Sequence, residues 1–262
     1  MCAALSSLYE DRDGTLFATE YCRGPWSPDA QHGGAPAALL MRAFENCEPD
    51  PALATARVTY ELLKPVPLGP LSVSVSVVRP GKRVQLLEGS IYTPDGTEVV
   101  RARALRVARA GVESGAVQVP PATWRSAEPM EFGDFARGLT IFPGDGMEIR
   151  FVKGGFFELG AATAWFRLKL PVFGDETPSP LQRLAAASDF PNGIATELPW
   201  TEYLFINPDL TIYVEREPIG EWVCLDANMR VEPSGVGLSQ AVLYDEQGRV
   251  GRSLQSLYVA PR

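Results

Sequence analysis

Apolar and polar positions alternate with a period of two over much of this chain, and two apolar runs break the alternation. The clearest case is residues 71–78, where Ser72, Ser74 and Ser76 interleave with Val73, Val75 and Val77. Successive strand side chains point to opposite faces, so this pattern predicts a strand with one face on a core. A strand over 56–63 precedes it, and strands over 84–93 and 98–108 follow as a hairpin around Pro94-Asp95-Gly96. The second half repeats the theme, with strands expected over 147–152, 161–169, 210–214, 221–231, 237–244 and 249–259. The two exceptions are 35–45 and 178–190, which are rich in Ala and Leu with proline near the start. Both read as helices, and the first is apolar on nearly every side, the mark of a buried one.

The strand pattern also recurs. Ile91-Tyr92, a turn at Gly96 and Leu105-Arg106-Val107-Ala108 return as Leu243-Tyr244, Gly248 and Leu257-Tyr258-Val259-Ala260, and Tyr92 to Tyr244 is a spacing of 152 positions. Each half then has one apolar helix followed by an antiparallel meander. The expected architecture is α+β: two antiparallel sheets, each wrapped around a buried helix. Residues 1–110 form the first unit, the Gly-, Pro- and Ser-rich 111–123 a linker, and 124–262 the second unit.

Composition narrows the chemistry. The 262 residues are 45% hydrophobic, enough for a large core or two smaller ones. A net charge of −8 argues against a nucleic-acid partner, which needs clustered Lys and Arg. Cys2, Cys22, Cys47 and Cys224 are scattered with no CxxC pair. His32 is the only histidine, which removes every site needing two imidazoles; no metal site is expected. There is no GxGxxG, GxxxxGK[ST] or GxSxG, so no cofactor is expected and a serine nucleophile lacks its motif. No basic and apolar leader opens the chain, and no stretch approaches the ~20 apolar residues that span a bilayer. A cytoplasmic protein with no membrane partner is the expectation, and exposed sheet edges leave room for a homo-oligomer.

Gly24-Pro25-Trp26 followed by Gln31-His32-Gly33-Gly34-Ala35-Pro36 resembles the opening of the TesB-like (type II) acyl-CoA thioesterases, which have a double hotdog fold. Ala187-Ser188-Asp189-Phe190 resembles the segment that carries this family's catalytic aspartate. Asn207-Pro208-Asp209-Leu210-Thr211 resembles a strand entry with the family's Ser or Thr, and Ser253-Leu254-Gln255 the strand with its glutamine. The resemblance implies a water-activating set of Asp189, Thr211 and Gln255, acting on an acyl thioester of coenzyme A or of an acyl carrier protein. It departs from the family where Leu210 follows Asp209, in place of a histidine.

The chemistry is self-consistent. Thioester hydrolysis needs a placed water, a carboxylate to take its proton, and donors where charge develops on the carbonyl oxygen. Asp189 would be the base, with Thr211 and Gln255 holding the water. Backbone N–H groups near Gly33 and Gly34, at a helix start, would face the substrate, with His32 orienting the loop or touching the thioester. At the spacing of 152, Gln255 corresponds to Arg103; at 151, Thr211 corresponds to Tyr60, so the first half lacks the set and one active site per chain is expected. Arg79, Lys82 and Arg83 are a candidate contact for coenzyme A phosphates. Phe142, Phe151, Phe156, Phe157, Trp165 and Phe166 are candidates for an acyl tunnel or for ordinary core. The alternatives are an acyl-thioester binder without turnover and a hotdog enoyl-CoA hydratase or dehydratase, which would need an Asp/His pair.

Overall fold

The computed structural model describes residues 6–113, 123–136 and 138–262. Thirteen strands are present among the described residues: β1 (Tyr9–Arg12), β2 (Thr15–Ala18), β3 (Leu53–Leu62), β4 (Gly69–Arg79), β5 (Val84–Tyr92), β6 (Glu98–Ala108), β7 (Met147–Lys153), β8 (Ala162–Leu168), β9 (Tyr203–Ile206), β10 (Asp209–Val214), β11 (Trp222–Val231), β12 (Val236–Asp245) and β13 (Gly248–Pro261). The α-helices among the described residues are α1 (Gly34–Asn46), α2 (Pro180–Ala187) and the single turn α3 (Pro191–Ile194). Most of the expected linker, residues 114–122, lies outside the described residues. Among the described residues no helix is long and apolar enough to cross a membrane.

The strands join into one continuous sheet, in the order β1-β2-β4-β5-β6-β3-β10-β13-β12-β11-β8-β7, with β9 paired to β13. This corrects the expectation of two separate sheets. The physical reason is the β3–β10 pairing, antiparallel from Asp209 against Glu61 to Tyr213 against Arg57, which satisfies two strand edges that separate sheets would leave open. Outward from that central pair the order reads β3-β6-β5-β4 on one side and β10-β13-β12-β11 on the other. The halves are therefore related by a pseudo-twofold between β3 and β10, where Thr211 lies opposite Thr59 and bonds to it across the 152-residue spacing.

Register refines the repeat. Thr59 pairs with Arg103 and Thr211 with Leu254, so the first-half mate of Gln255 is Ala104, one position beyond the Arg103 that the sequence spacing indicates. Likewise, the mate of Thr211 is Thr59 rather than Tyr60. Strand alternation agrees, because Ala104 and Gln255 are both fully buried whereas Arg103 is exposed.

The helices lie on the inner face. α1 packs on β4, β5 and β6, α2 packs on β8 and β11, and the two helices pack against each other. Their approach depends on small residues: a Cβ on Gly34 would collide with the backbone oxygen of Ala186. The expected helix over 178–190 is shorter in fact. Ser179 caps it by accepting from the Gln182 N–H at 3.1 Å, Pro180 occupies its first turn, and Ser188 closes it by donating to the Leu184 carbonyl at 2.7 Å.

Candidate active site

α1 and α2 run past each other, so the end of α2 meets the start of α1. Asp189 follows the cap of α2, in the bend before Pro191 restarts the chain as α3, and there its carboxylate reaches Gly33 and Gly34. A Cβ on Gly33 would sit 2.6 Å from Asp189 Oδ2, so only glycine lets the carboxylate come this close. The side chain of Asp189 is almost fully buried.

Its two oxygens have different company. Oδ1 accepts from Gln255 Nε2 and from Asn207 Nδ2, each at 2.8 Å, and Gln255 also donates to the Asp189 backbone oxygen at 3.3 Å. Gln255 is in turn oriented from behind, its Oε1 accepting from the Asn192 N–H at 3.2 Å. Oδ2 faces His32 Nδ1 at 3.2 Å, and the Gly33 and Gly34 N–H groups also reach the carboxylate. Burial dominates all of these bonds and pushes the Asp189 carboxyl up to about 7. Burial also pushes His32 down to about 3, its ring being stacked on Phe190 at 4.4 Å and close to Phe142 at 5.2 Å. The contact between them is thus no ion pair at neutral pH. His32 Nδ1 also accepts from the Gly34 N–H at 3.1 Å, which places the proton of the neutral imidazole on Nε2.

This geometry brings together Asp189, Gln255, His32, Gly33 and Gly34 of the residues singled out from sequence. It does not bring in Thr211. Leu210 and Ile212 are buried, so Thr211 points to the opposite sheet face, where its hydroxyl is 3.2 Å from that of Thr59. The second side-chain donor on Asp189 is instead Asn207, at the entry to β10 two residues before Asp209. The helix start is also used differently from the expectation. The Gly34 N–H points at His32 Nδ1 (3.1 Å) and at Asp189, so these donors hold the carboxylate and are not left open for a substrate carbonyl.

The cluster lies against a pocket of about 1150 Å³, whose lining includes His32, Gly33, Asp189, Asn192 and Asn207. Most of the remaining wall is apolar, including Phe156 and Phe157, and Trp26 of the first half stacks on Trp200 of the second at 4.8 Å. Lys64 and Arg262 are its cationic members. The basic turn of Arg79, Lys82 and Arg83 lies outside the lining, and Trp165 packs away from it with Trp222 and Cys224.

Two helices packed on the inner face of a sheet of paired halves are the architecture of a hotdog protein. The chain belongs to the acyl-CoA thioesterase family: its N-terminal domain model matches residues 22–107 and its C-terminal domain model residues 117–259. Solved structures agree on the fold. A conserved protein of unknown function with a hotdog fold from Alicyclobacillus acidocaldarius is 15% identical, with a TM-score of 0.71 over 96% of this chain and 95% of that one. An acyl-CoA thioesterase II, TesB2, from Mycobacterium marinum is 14% identical, with a TM-score of 0.64 over 88% and 89%. A tesB protein from Mycobacterium avium subs paratuberculosis is 13% identical, with a TM-score of 0.62 over 96% of each. No curated protein matches the chain.

Proposed function

We propose that this protein hydrolyses acyl-CoA thioesters to the free acid and coenzyme A, at one site per chain, with Asp189 as general base. The observation that carries the reading is the buried Asp189 carboxylate, held on one oxygen by Gln255 and Asn207 and lining the large apolar pocket. A carboxyl poised near 7 is matched to proton transfer at neutral pH. The ionised carboxylate takes a proton from a water as the water oxygen bonds to the thioester carbon. When the tetrahedral adduct collapses, the C–S bond breaks and the proton passes to the departing thiolate, so acid and thiol leave and the carboxylate is restored. Neither metal nor cofactor enters this scheme.

The apolar wall suits the acyl group, and Lys64 and Arg262 give the pocket positive charge for the anionic end of coenzyme A. The net charge of −8 favours this small substrate over an acidic carrier protein.

The test is direct release of free thiol from a panel of acyl-CoAs of graded length and of aryl type, at pH 8. Turnover above background on at least one member supports the proposal; none on any member contradicts it. The contact between His32 and Asp189 gives the hydratase reading the Asp/His pair it needs. Loss of enoyl absorbance from an enoyl-CoA, without thiol release, would favour that reading.

A further inference from the structure

The end of α1 meets the start of α2 in the same way, and there a second carboxylate takes the place of Asp189. Glu45, in the last turn of α1, accepts from Ser179 Oγ at 2.7 and 2.8 Å and from Gln182 Nε2 at 2.8 Å. Each helix thus presents a carboxylate near its C-terminal end to the N-terminus of the other. The arrangement is reciprocal, and the chemistry at its two ends differs.

At the Asp189 end the helix cap is Gly33, which has no side chain to cap the helix, so the carboxylate itself reaches the first N–H groups, sharing that of Gly34 with His32 Nδ1. At the Glu45 end the cap is Ser179, whose hydroxyl takes the Gln182 N–H and holds Glu45 one atom layer away. Arg106 closes this end from β6. Its guanidinium donates to the Phe44, Cys47 and Glu48 carbonyls and to Gln85 Oε1, the latter three at 3.0, 3.1 and 2.9 Å. It thereby satisfies the carbonyls at the end of α1, much as Gln255 serves the Asp189 carbonyl. The nearby cavity, between the start of β3 and the ends of β6 and β10, is about 480 Å³, and Glu45 is not in its lining.

We propose that Glu45 is a positioning residue for Asp189. This rests on the hydrolase reading above. α2 has only eight residues, about 12 Å of helix, too short to hold its own geometry without tertiary contacts. Glu45 fixes its first turn, and Asp189 follows two residues beyond its last. Releasing the first turn moves the carboxylate relative to Gly33, Gln255 and Asn207, whose bonds need placement within a few tenths of an ångström.

The experiment compares wild type, Glu45→Ala and Glu45→Gln. Glutamine keeps an acceptor for Gln182 and a donor toward Ser179 Oγ, so it retains the clamp; alanine removes it. Expected for Glu45→Ala is a kcat about tenfold lower, a KM within twofold, and an acid midpoint of kcat lowered by at least half a pH unit as water reaches Asp189. Glu45→Gln restores kcat to within about twofold of wild type. The other titratable group facing Asp189 is His32, and its burial keeps it neutral across this range. A lower Tm in Glu45→Ala with wild-type kcat and midpoint overturns the proposal, leaving Glu45 a structural residue only. If Glu45→Ala does not fold, Ser179→Ala, which removes one of the two donors, is read in the same way for a roughly threefold effect. Titration of the Asp189 carboxyl by carbon NMR on the free protein separates the two readings. An unshifted midpoint defeats the clamp, whereas absent turnover in wild type defeats only the hydrolase assignment.

Discussion

The two ends of the helix seam are related by the pseudo-twofold and differ by a few residues. Gly33 faces Ser179 across the pseudo-twofold as helix cap, Gln255 has Ala104 as its mate, and Asp189 has Glu45 as its opposite number. One end leaves a carboxylate on bare backbone donors beside a pocket of about 1150 Å³. The other fills the equivalent space with a serine hydroxyl and an arginine. Burial raises both carboxyls, and of the two it is Asp189 that lines the large pocket.

The comparison can be broken from either side. The largest effect is expected at the open end. Gly33→Ala places a methyl group 2.6 Å from Asp189 Oδ2 and should lower kcat/KM at least a hundredfold in a thiol-release assay, with the fold retained by circular dichroism. Gln255→Leu should come next, at tenfold to a hundredfold, because it removes one of two donors that hold Asp189 Oδ1; Asn207→Leu, which removes the other, should match it. At the closed end, Ser179→Ala should be felt mainly as stability. Loss of the cap costs about 1 kcal/mol, which lowers Tm by ~2–4 °C in a scanning melt while kcat drops only about threefold. The smallest effect is expected for Thr211→Val, within twofold of wild type in kcat/KM, since that side chain faces away from the cluster. A loss at Thr211 as large as at Asn207 would mean the donor set on Asp189 is drawn wrongly.

Much of this was legible in the sequence, for identifiable reasons. Long elements with an unbroken period announced themselves: α1, β4 and the β5–β6 hairpin fall within one or two residues of their expected bounds. β1, β2 and β9 have four residues each, too few for alternation to register, and the π-helical turn over Phe142–Gly146 has no periodic signal at all. Asp189 and Gln255 could be paired through the resemblance. Asn207 was overlooked: the alternation of Leu210, Ile212 and Val214 turns Thr211 outward, but Asn207 lies before β10 begins at Asp209, where period-two alternation no longer says which way a side chain faces. The one-position error in the repeat arose at the hairpin turn: Tyr92 pairs with Glu98 but Tyr244 with Arg249, so the first turn is one residue longer and the strand after it is displaced by one. The Glu45 clamp joins residues 134 and 137 positions apart, and nothing local in either segment points to the other.

The central claim is that a single buried carboxylate, raised to about 7, does the chemistry. Its most direct test is the pH dependence of kcat/KM for thiol release by wild type beside Asp189→Asn. A group raised above its ordinary value is a base only when pH exceeds the raised value, so wild-type kcat/KM should climb tenfold per unit below about 7 and level off above about 8. Asp189→Asn should lose about a thousandfold at pH 8 and show no such limb. A wild-type profile flat down to pH 5, or an Asn variant that keeps both rate and limb, would contradict the account.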